Sequence, residues 1–503
     1  MIGKTSTLAI DGRSLGLTEL AAFESRRPEA VLAPGVRERL LASRAVVERA
    51  AAQDAPVYGI NTGFGAFANR KIPPEHLDRL QLNLVRSHAA GVGEALDAPL
   101  TRRLMLLKAN GLAGGFSGVR PEVVDALLAL VNADVLPVIP RTGSVGASGD
   151  LAPLAHLALA LIGEGEARCG EKALAGPAVM QASGRSPLVL TAKEGLALLN
   201  GTQLSAALAV EGCLRVDRLL RSAIVAGALS VDALAGSYAP FDARIHAARG
   251  QRGQIEVARR LRDLLTDSAI KRSHADCDRV QDPYAVRCMP QVMGALWDTL
   301  THARGIVEIE CNAATDNPLV LGDDIISGGN FHAAPLGYVC DFLAIALADC
   351  ASMAERRIDL LDRRVNPNLN LFLAGEPGLE SGFMIAHVTS AALASANKTL
   401  AHPASVDTVP TSAGQEDHVS MAPWAAEKLL AICDNTEKVL AIELLAAAHA
   451  IDSMRPLTTT PQLQAIHGRI RREVPFDRAD HRLDRDIARL AAAVHAGVFA
   501  DSA

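Results

Sequence analysis

Four long segments in the second half of the chain place apolar residues at the three- and four-residue spacing of an α-helix. They cover residues 204–233, 336–361, 382–401 and 424–451. No proline interrupts the first of them, where apolar side chains recur from Leu204 to Ile224. The spacing predicts helices of roughly 20 to 30 residues, well above the usual length of about 11–12. Because their Ala-rich faces allow close approach, we expect these helices to form a bundle.

The first half of the chain has a different pattern. Short helical stretches alternate with loops that contain Gly and Pro, such as YGINTGFGAF at 58–67 and LPVIPRTGSVGASGD at 136–150. We therefore predict a mainly α protein with an N-terminal domain over residues 1–200. A long-helix bundle with a C-terminal helical part is predicted over 201–503. Long helices of this kind often pack against copies of themselves, so an oligomer is expected.

The composition supports a helical core and excludes several classes of partner. Of the 503 residues, 49% are apolar but only 3% are aromatic, so Ala, Leu, Val and Ile must fill the core. The net charge is −6 and no long run of like charges occurs, which argues against nucleic acid or an anionic membrane as a partner. The eight cysteines form no C-x-x-C pair, and the N-terminus does not resemble a signal peptide. We predict a cytoplasmic protein with reduced thiols.

One segment, GSVGASGDLAPLAH at 143–156, carries the candidate chemistry. Read alone, it is a loop of small residues before a helix that begins near Leu151, with Ser148 or Asp150 as the N-cap. Over its full length, however, it resembles the signature of the aromatic amino-acid ammonia-lyase family. That resemblance implies an aspartase/fumarase-like helical fold. It also implies that the N-terminal domain bears the prosthetic group of the family.

In that family an Ala-Ser-Gly tripeptide cyclises on itself. Here the amide nitrogen of Gly149 would attack the carbonyl of Ala147, whose oxygen would leave as water, and dehydration of Ser148 would remove a second water. The product is 4-methylideneimidazol-5-one (MIO). Small residues suit a tight loop, and a helix beginning directly after the ring would direct its positive end at the electrophile.

The reaction explains why such an electrophile is needed. Removing ammonia from an α-amino acid requires loss of a scarcely acidic β-proton and of an amine that leaves poorly. A conjugated methylidene converts the amine into a better leaving group. We therefore expect no external cofactor, and the sequence contains no phosphate-binding loop or metal-ligand cluster.

Further blocks resemble the same family between about residues 58 and 443. In YGINTGFG, Tyr58 would be the base that removes the β-proton, and the neighbouring glycines suggest a mobile loop. In LALLNGTQ, Asn200 would hydrogen-bond the prosthetic group or the substrate amine. In VQDPYAVRCMPQV, Arg287 would bind the substrate carboxylate through its planar fork. Three more residues are assigned near the substrate or the ring by the resemblance: Gln281, Tyr284 and Phe331.

Three positions bear on the identity of the substrate. The Ser-His pair that ends at His88 and the Gln-Glu-Asp-His segment that contains Glu416 are similar to the histidine-specific members. A carboxylate and an imidazole would recognise the ring of histidine, whereas a phenyl ring would leave the buried carboxylate unpaired. Met384 stands where the ergothioneine-cleaving members would carry lysine. Four features depart from the histidine pattern: Arg86, Met289, Gly414 and residues 362–373.

The sequence thus predicts conversion of L-histidine to trans-urocanate and ammonia. The alternatives are a related lyase acting on ergothioneine, tyrosine or phenylalanine, an aminomutase, or an inactive relative kept as a scaffold. By the resemblance, the enzyme would be a homotetramer whose active sites draw on more than one subunit.

Overall fold

The structure, a computed structural model, describes residues 7–276 and 279–500. Within them the chain forms nineteen α-helices and nine short strands. The strands are β1 Thr7–Ile10, β2 Glu29–Leu32, β3 Val92–Ala95, β4 Val135–Pro137, β5 Pro140–Thr142, β6 Glu166–Cys169, β7 Lys172–Ala175, β8 Leu319–Leu321 and β9 Asp324–Ile326. The helices are α1 Leu17–Arg26, α2 Val36–Ala51, α3 Leu77–His88, α4 Ala98–Ala113, α5 Pro121–Asn132, α6 Leu151–Leu161, α7 Ala178–Ala182, α8 Glu194–Leu199, α9 Gln203–Ala233, α10 Ala243–Arg249, α11 Arg252–Leu264, α12 Ala269–Ser273, α13 Tyr284–Arg287, α14 Met289–Glu310, α15 Ala334–Asp362, α16 Met384–Leu400, α17 Ala422–Ser453, α18 Pro461–Glu473 and α19 Leu483–His495.

The four long helices expected from the apolar spacing are present as α9, α15, α16 and α17. Each begins and ends within two residues of its predicted bounds. In α9 almost every side chain is buried, Ala and Val as well as Leu. The mainly α fold predicted from the sequence is confirmed.

By the contacts among its residues, the chain divides into two compact units. The first consists of the described part of Met1–Glu211 together with Arg304–Cys340 and Ala404–Glu427. The second consists of the described parts of Gly212–Ala303, Asp341–Pro403 and Lys428–Ala503. Each unit thus combines stretches that are distant in sequence. The domains 1–200 and 201–503 stay a prediction.

The first unit contains several small sheets and a helix with a capped N-terminus. Strands β1 and β2 pair in parallel, and the antiparallel sets are β3–β5, β4–β6–β7 and β8–β9. Asp97 is the N-cap of helix α4, and its side chain accepts a hydrogen bond from the amide of Leu100. Strand β5 and helix α6 flank the candidate tripeptide, so a sheet and a helix N-terminus fix its two ends.

A buried ion pair lies among the long helices of the second unit. Nε of Arg357 is 2.5 Å from Oε1 of Glu443, and neither side chain is exposed. Ser230 donates a hydrogen bond of 2.7 Å to the same carboxylate. Arg357 also donates to the backbone oxygen of Ala285 at 3.3 Å, so the pair anchors the short helix α13. Losing either partner would leave a buried charge uncompensated.

One helix of the described residues, α15, is long and apolar enough to cross a membrane by length and composition. Of its most apolar stretch, 61% is buried within the chain. A core helix of a water-soluble protein meets the same two criteria.

Candidate active site

The segment Ala147–Ser148–Gly149 lies in a loop between β5 and α6. Two glycines of the loop have left-handed backbone conformations, with φ of +69° at Gly146 and +74° at Gly149. A Cβ added to Gly149 would overlap the carbonyl group of Gly201. Glycine is therefore required at position 149 both by the backbone angle and by the close approach of a second chain segment.

The Asn200–Gly201 segment holds one side of the tripeptide. Gly149 forms a parallel bridge with Gly201, and the amide of Asp150 donates to the Gly201 oxygen at 2.7 Å. Nδ2 of Asn200 donates to the backbone oxygen of Ser148, also at 2.7 Å. The other side-chain atom of Asn200, Oδ1, is buried without a hydrogen-bond partner. Because buried acceptors normally have a hydrogen-bond donor, Oδ1 is suited to accept a hydrogen bond from a bound molecule, for example from an amine.

A second segment holds the loop just before the tripeptide. The amide of Met421 donates to the oxygen of Val145 at 2.9 Å. The hydroxyl of Ser420 donates to the oxygen of Gly146 at 3.1 Å. The tripeptide is therefore held between two chain segments that are far apart in sequence.

The side chain of Ser148 contacts Glu416. Its hydroxyl donates to Oε1 of Glu416 at 2.5 Å, while Thr411 and Ser412 donate to Oε2 at 2.5 and 2.7 Å. Burial favours the neutral acid, but these three hydrogen bonds and the charge of His88 outweigh it and lower the pKa of Glu416. Glu416 is thus an anion beside the predicted electrophile.

His88 ends helix α3 and is oriented by that helix. Its Nδ1 lies 2.9 Å from the backbone oxygen of Leu84 and 3.0 Å from the hydroxyl of Ser87. Because a carbonyl only accepts, Nδ1 carries a proton and Nε2 is the acceptor of the neutral ring. His88 is close enough to Glu416 for its charge to favour the ionised carboxylate and lower the pKa of Glu416.

The loop that carries Tyr58 is folded tightly on itself. Asn61 accepts from the amide of Val57 at 2.7 Å and donates to the oxygen of Ala55 at 3.0 Å. The amide of Gly65 approaches the Tyr58 hydroxyl at 3.5 Å. The 3₁₀ turn Gly65–Phe67 lies against the turn Ser412–Gly414, which brings the Tyr58 loop beside the Glu416 loop.

Phe331 lies in the turn before α15. Its neighbour His332 approaches the backbone oxygen of His418 at 3.2 Å and stacks on the His418 ring, with centroids 5.7 Å apart. The turn is therefore tied to the segment that follows Glu416.

Asp150 differs from the simple N-cap that its position suggests. It precedes α6, but its side chain makes no capping hydrogen bond to that helix. Instead its carboxylate accepts from the amide and hydroxyl of Ser205, at 2.8 and 3.0 Å, in the first turn of α9. The Ser144 hydroxyl adds a third hydrogen bond at 3.2 Å. Complete burial raises the pKa of Asp150 to about 6, against the effect of these bonds.

Four predicted site residues belong to the second unit: Gln281, Tyr284, Arg287 and Met384. Arg287 lies 4.5 Å from the centre of the Tyr284 ring, and its Nε is buried without a hydrogen-bond partner. Tyr284 itself is 69% exposed, and Gln281 is exposed. Met384 is the first residue of α16.

Three of the four departures from the histidine pattern have local structural explanations. Met289 is fully buried, and its sulfur lies against Gly227, so it is a core residue. Arg86 forms two hydrogen bonds with Glu164, at 2.7 and 2.5 Å, on an exposed surface. Gly414 has φ of +83° in a tight turn, a conformation that glycine adopts without strain.

The residues present fit the formation of MIO. Gly149 has no side chain that would obstruct its nitrogen, and the hydroxyl of Ser148 donates to the carboxylate of Glu416. Oδ1 of Asn200 is buried and has no hydrogen-bond partner. Among the described residues, no group of three or more His, Cys, Asp or Glu side chains is arranged to hold a metal ion.

Comparisons with known proteins identify the family of the chain. The family description "Aromatic amino acid lyase" matches residues 15–472. A curated histidine ammonia-lyase from Burkholderia ambifaria is 53% identical over 489 residues, which cover 97% of this chain and 96% of that protein. The crystal structure of histidine ammonia-lyase from Trypanosoma cruzi has a TM-score of 0.91 and 40% identity, covering 99% of this chain and 94% of that one.

A tyrosine aminomutase from Streptomyces globisporus is also similar. Its structure has a TM-score of 0.93 and 34% identity, and the match covers 99% of this chain and 98% of that one. The shared fold therefore spans lyases and aminomutases. On the family match over most of its length and the identity to curated relatives, this chain belongs to the aromatic amino acid lyase family.

Proposed function

We propose that this enzyme removes ammonia from L-histidine to give trans-urocanate. The observation that carries the proposal is the assembly around Ser148, whose hydroxyl contacts Glu416 and whose carbonyl contacts Asn200. In this assembly, a tripeptide that can cyclise lies beside an anionic side chain that can accept a hydrogen bond from an imidazole N–H. The names of the most similar curated relatives support the same substrate.

We propose that Ala147, Ser148 and Gly149 form MIO without an external cofactor. Asn200 and Gly201 hold the tripeptide at the Ser148 oxygen and the Asp150 amide, which limits its movement before ring closure. Once formed, the group supplies an electrophile for the substrate amine. Helix α6 begins directly after the ring and directs the positive end of its dipole there.

His88 and Glu416 recognise the imidazole ring in this proposal. The Glu416 anion accepts one ring N–H. Because Nδ1 of His88 donates to Leu84, its Nε2 accepts from the substrate when neutral and donates to it when cationic. A phenyl ring satisfies neither group, so the site favours histidine over phenylalanine.

The remaining residues bind the substrate carboxylate, remove the β-proton or pack near the substrate. Arg287 binds the substrate carboxylate, supported by its unpartnered buried Nε. Tyr58 removes the β-proton, and Asn200 receives the substrate amine on Oδ1. Four residues complete the site near the ring and the substrate: Gln281, Tyr284, Phe331 and Met384.

We propose a homotetramer with shared active sites. The exposed side chains of α16 are apolar, small or hydroxyl, including Ile385, Val388, Ala392 and Ala396, except for Lys398 in the last turn. A largely apolar face of this length suits packing against a second copy. Tyr284, 69% exposed in a single chain, would then be covered by another subunit. We place the enzyme in the cytoplasm.

The first test is spectroscopic. The near-ultraviolet absorbance of the wild-type protein should exceed that of Ser148→Ala, because only the wild type can form the conjugated ring. Identical spectra would overturn the proposal of an MIO enzyme. A parallel assay with histidine, ergothioneine, phenylalanine and tyrosine should show conjugated acid chiefly from histidine. Faster turnover of phenylalanine or tyrosine would overturn the roles of His88 and Glu416.

The similarity to a tyrosine aminomutase makes isomerisation the second candidate. An aminomutase returns the amine to the β-carbon, so its product is a β-amino acid. Product analysis after histidine turnover distinguishes the two reactions. We expect urocanate and free ammonia, and β-histidine as the main product would favour the aminomutase.

A further inference from the structure

Lys108 is a buried lysine next to the predicted site, on helix α4. Its side chain is 1% exposed. Nζ donates to the backbone oxygen of Asn200 at 2.9 Å and to Oε1 of Gln203 at 3.3 Å. Both acceptors are neutral. Burial lowers the pKa of Lys108 to about 7, with Lys193 adding to the effect and Asp316 and Asp150 opposing it.

A second buried lysine nearby makes a useful contrast. Nζ of Lys193 lies 2.9 Å from a carboxylate oxygen of Asp316, and both side chains are buried. The positive charge of Lys193 is therefore balanced by the negative charge of Asp316. Lys108 makes no such direct pair, so its ammonium bears a desolvation cost that one backbone carbonyl and one amide only partly offset.

The carbonyl that Lys108 binds belongs to the segment that holds the tripeptide. Asn200 donates to Ser148, and Gly201 accepts from Asp150 and pairs with Gly149. Lys108 therefore holds this segment through the backbone oxygen of Asn200, an atom that makes no contact with the tripeptide in the bonds described above. Its removal would leave the buried Asn200 oxygen without this donor and free the segment to shift.

We propose that Lys108 is a positioning residue for ring closure of the tripeptide. In that step the Gly149 nitrogen bonds to the Ala147 carbonyl carbon and passes its proton to the carbonyl oxygen. That oxygen then leaves as water with the proton of the Ser148 nitrogen. Lys108 touches none of these atoms and acts through Asn200 and Gly201. The inference rests on the proposed function, because it requires that residues 147–149 form MIO.

The test compares Lys108→Met with Lys193→Met, which removes a buried lysine that does not contact Asn200. Folded protein is isolated by gel filtration and checked by circular dichroism, and near-ultraviolet absorbance is measured per folded subunit against Ser148→Ala. We expect Lys108→Met to carry at least tenfold less chromophore than Lys193→Met. Lys108→Arg, which keeps a cationic donor, should recover part of it.

Wild-type chromophore content in folded Lys108→Met would overturn the inference. If Lys108→Met yields no folded protein, the comparison moves to Lys108→Arg and Lys193→Arg during expression. Slower chromophore formation in Lys108→Arg supports the inference, and equal rates overturn it. A wild-type spectrum identical to that of Ser148→Ala would instead refute the proposed function.

Discussion

The hydroxyl of Ser148 lies 2.5 Å from Oε1 of Glu416, although 268 residues separate them in the chain. The residue predicted to lose its hydroxyl thus contacts the residue predicted to recognise the substrate. The same carboxylate accepts hydrogen bonds from Thr411 and Ser412, which fix its orientation. On the proposed function, the side chain that recognises histidine also contacts the residue that forms the electrophile.

Replacing Glu416 with Gln separates these two roles. The amide keeps an oxygen that can accept from Ser148 but loses the charge that pairs with an imidazole N–H. We expect unchanged chromophore and a fall of about 100-fold in kcat/KM for histidine, corresponding to about 3 kcal/mol. Asp417→Asn, at the exposed neighbouring position, is the control for a nearby loss of charge. Loss of the chromophore in Glu416→Gln would show that the carboxylate is needed to form the group.

Gly149→Ala should prevent formation of the chromophore. The added Cβ would overlap the Gly201 carbonyl, and φ of +74° disfavours alanine as well. Gly184→Ala is a matched control, because Gly184 has φ of +75° but no atom near the added Cβ. Near-ultraviolet spectra of both folded variants test the prediction. If Gly149→Ala absorbs like the wild type, the tight pairing with Gly201 is not required for ring closure.

Gly59→Ala should impair turnover while leaving the chromophore intact. At φ of +75°, the added Cβ would lie 2.7 Å from Leu196 and 2.8 Å from Pro318, so the neighbouring Tyr58 would be displaced. We expect kcat for histidine to fall at least about tenfold, as proton abstraction depends on geometry. Gly322→Ala, with φ of +66° and open surroundings, should retain wild-type kcat. Equal activity of the two variants would contradict the role of Tyr58.

Asp362 should make the second unit less stable as the pH rises from about 4 to 7. Both of its oxygens are buried without hydrogen-bond partners, and burial raises its pKa from 3.8 to about 7 despite His387 at 3.9 Å. The folded state therefore holds a proton that the unfolded state releases above pH 4, so the contribution of Asp362 to stability falls between pH 4 and 7. We expect Asp362→Asn to gain about 1–3 kcal/mol relative to the wild type between pH 5 and 8.

Thermal unfolding midpoints of the wild type and Asp362→Asn at pH 5 and 8 measure this difference. Asp323→Asn, at a side chain that is 92% exposed, controls for a change in net charge. A difference that does not grow with pH would show that Asp362 is ionised in the folded protein throughout this range.

The long helices could be predicted from the sequence because their apolar spacing is a local property. Residue identity within recognisable blocks pointed to the tripeptide and to Asn200 and Glu416, which contact it in the structure. The contacts of Gly201, Ser420 and Met421 were not predicted. Lys108 was missed because a lysine in an apolar stretch gives no sign of its partner, here Asn200, 92 residues away. The local capping rule failed for the side chain of Asp150, because the N-terminus of α9 competes for its carboxylate. Contacts between distant segments decide both cases.

Two segments that are distant in sequence enclose the tripeptide, and the ribosome makes one of them much later than the tripeptide itself. A ribosome makes Ser148 long before it makes Glu416, Ser420 and Met421, which complete that enclosure. On the proposed function, the growing chain carries an ordinary peptide at this point. The reactive group then arises only after residues 404–427 have joined the first unit. Thiols and amines of the cell consequently meet the electrophile only inside a finished enzyme.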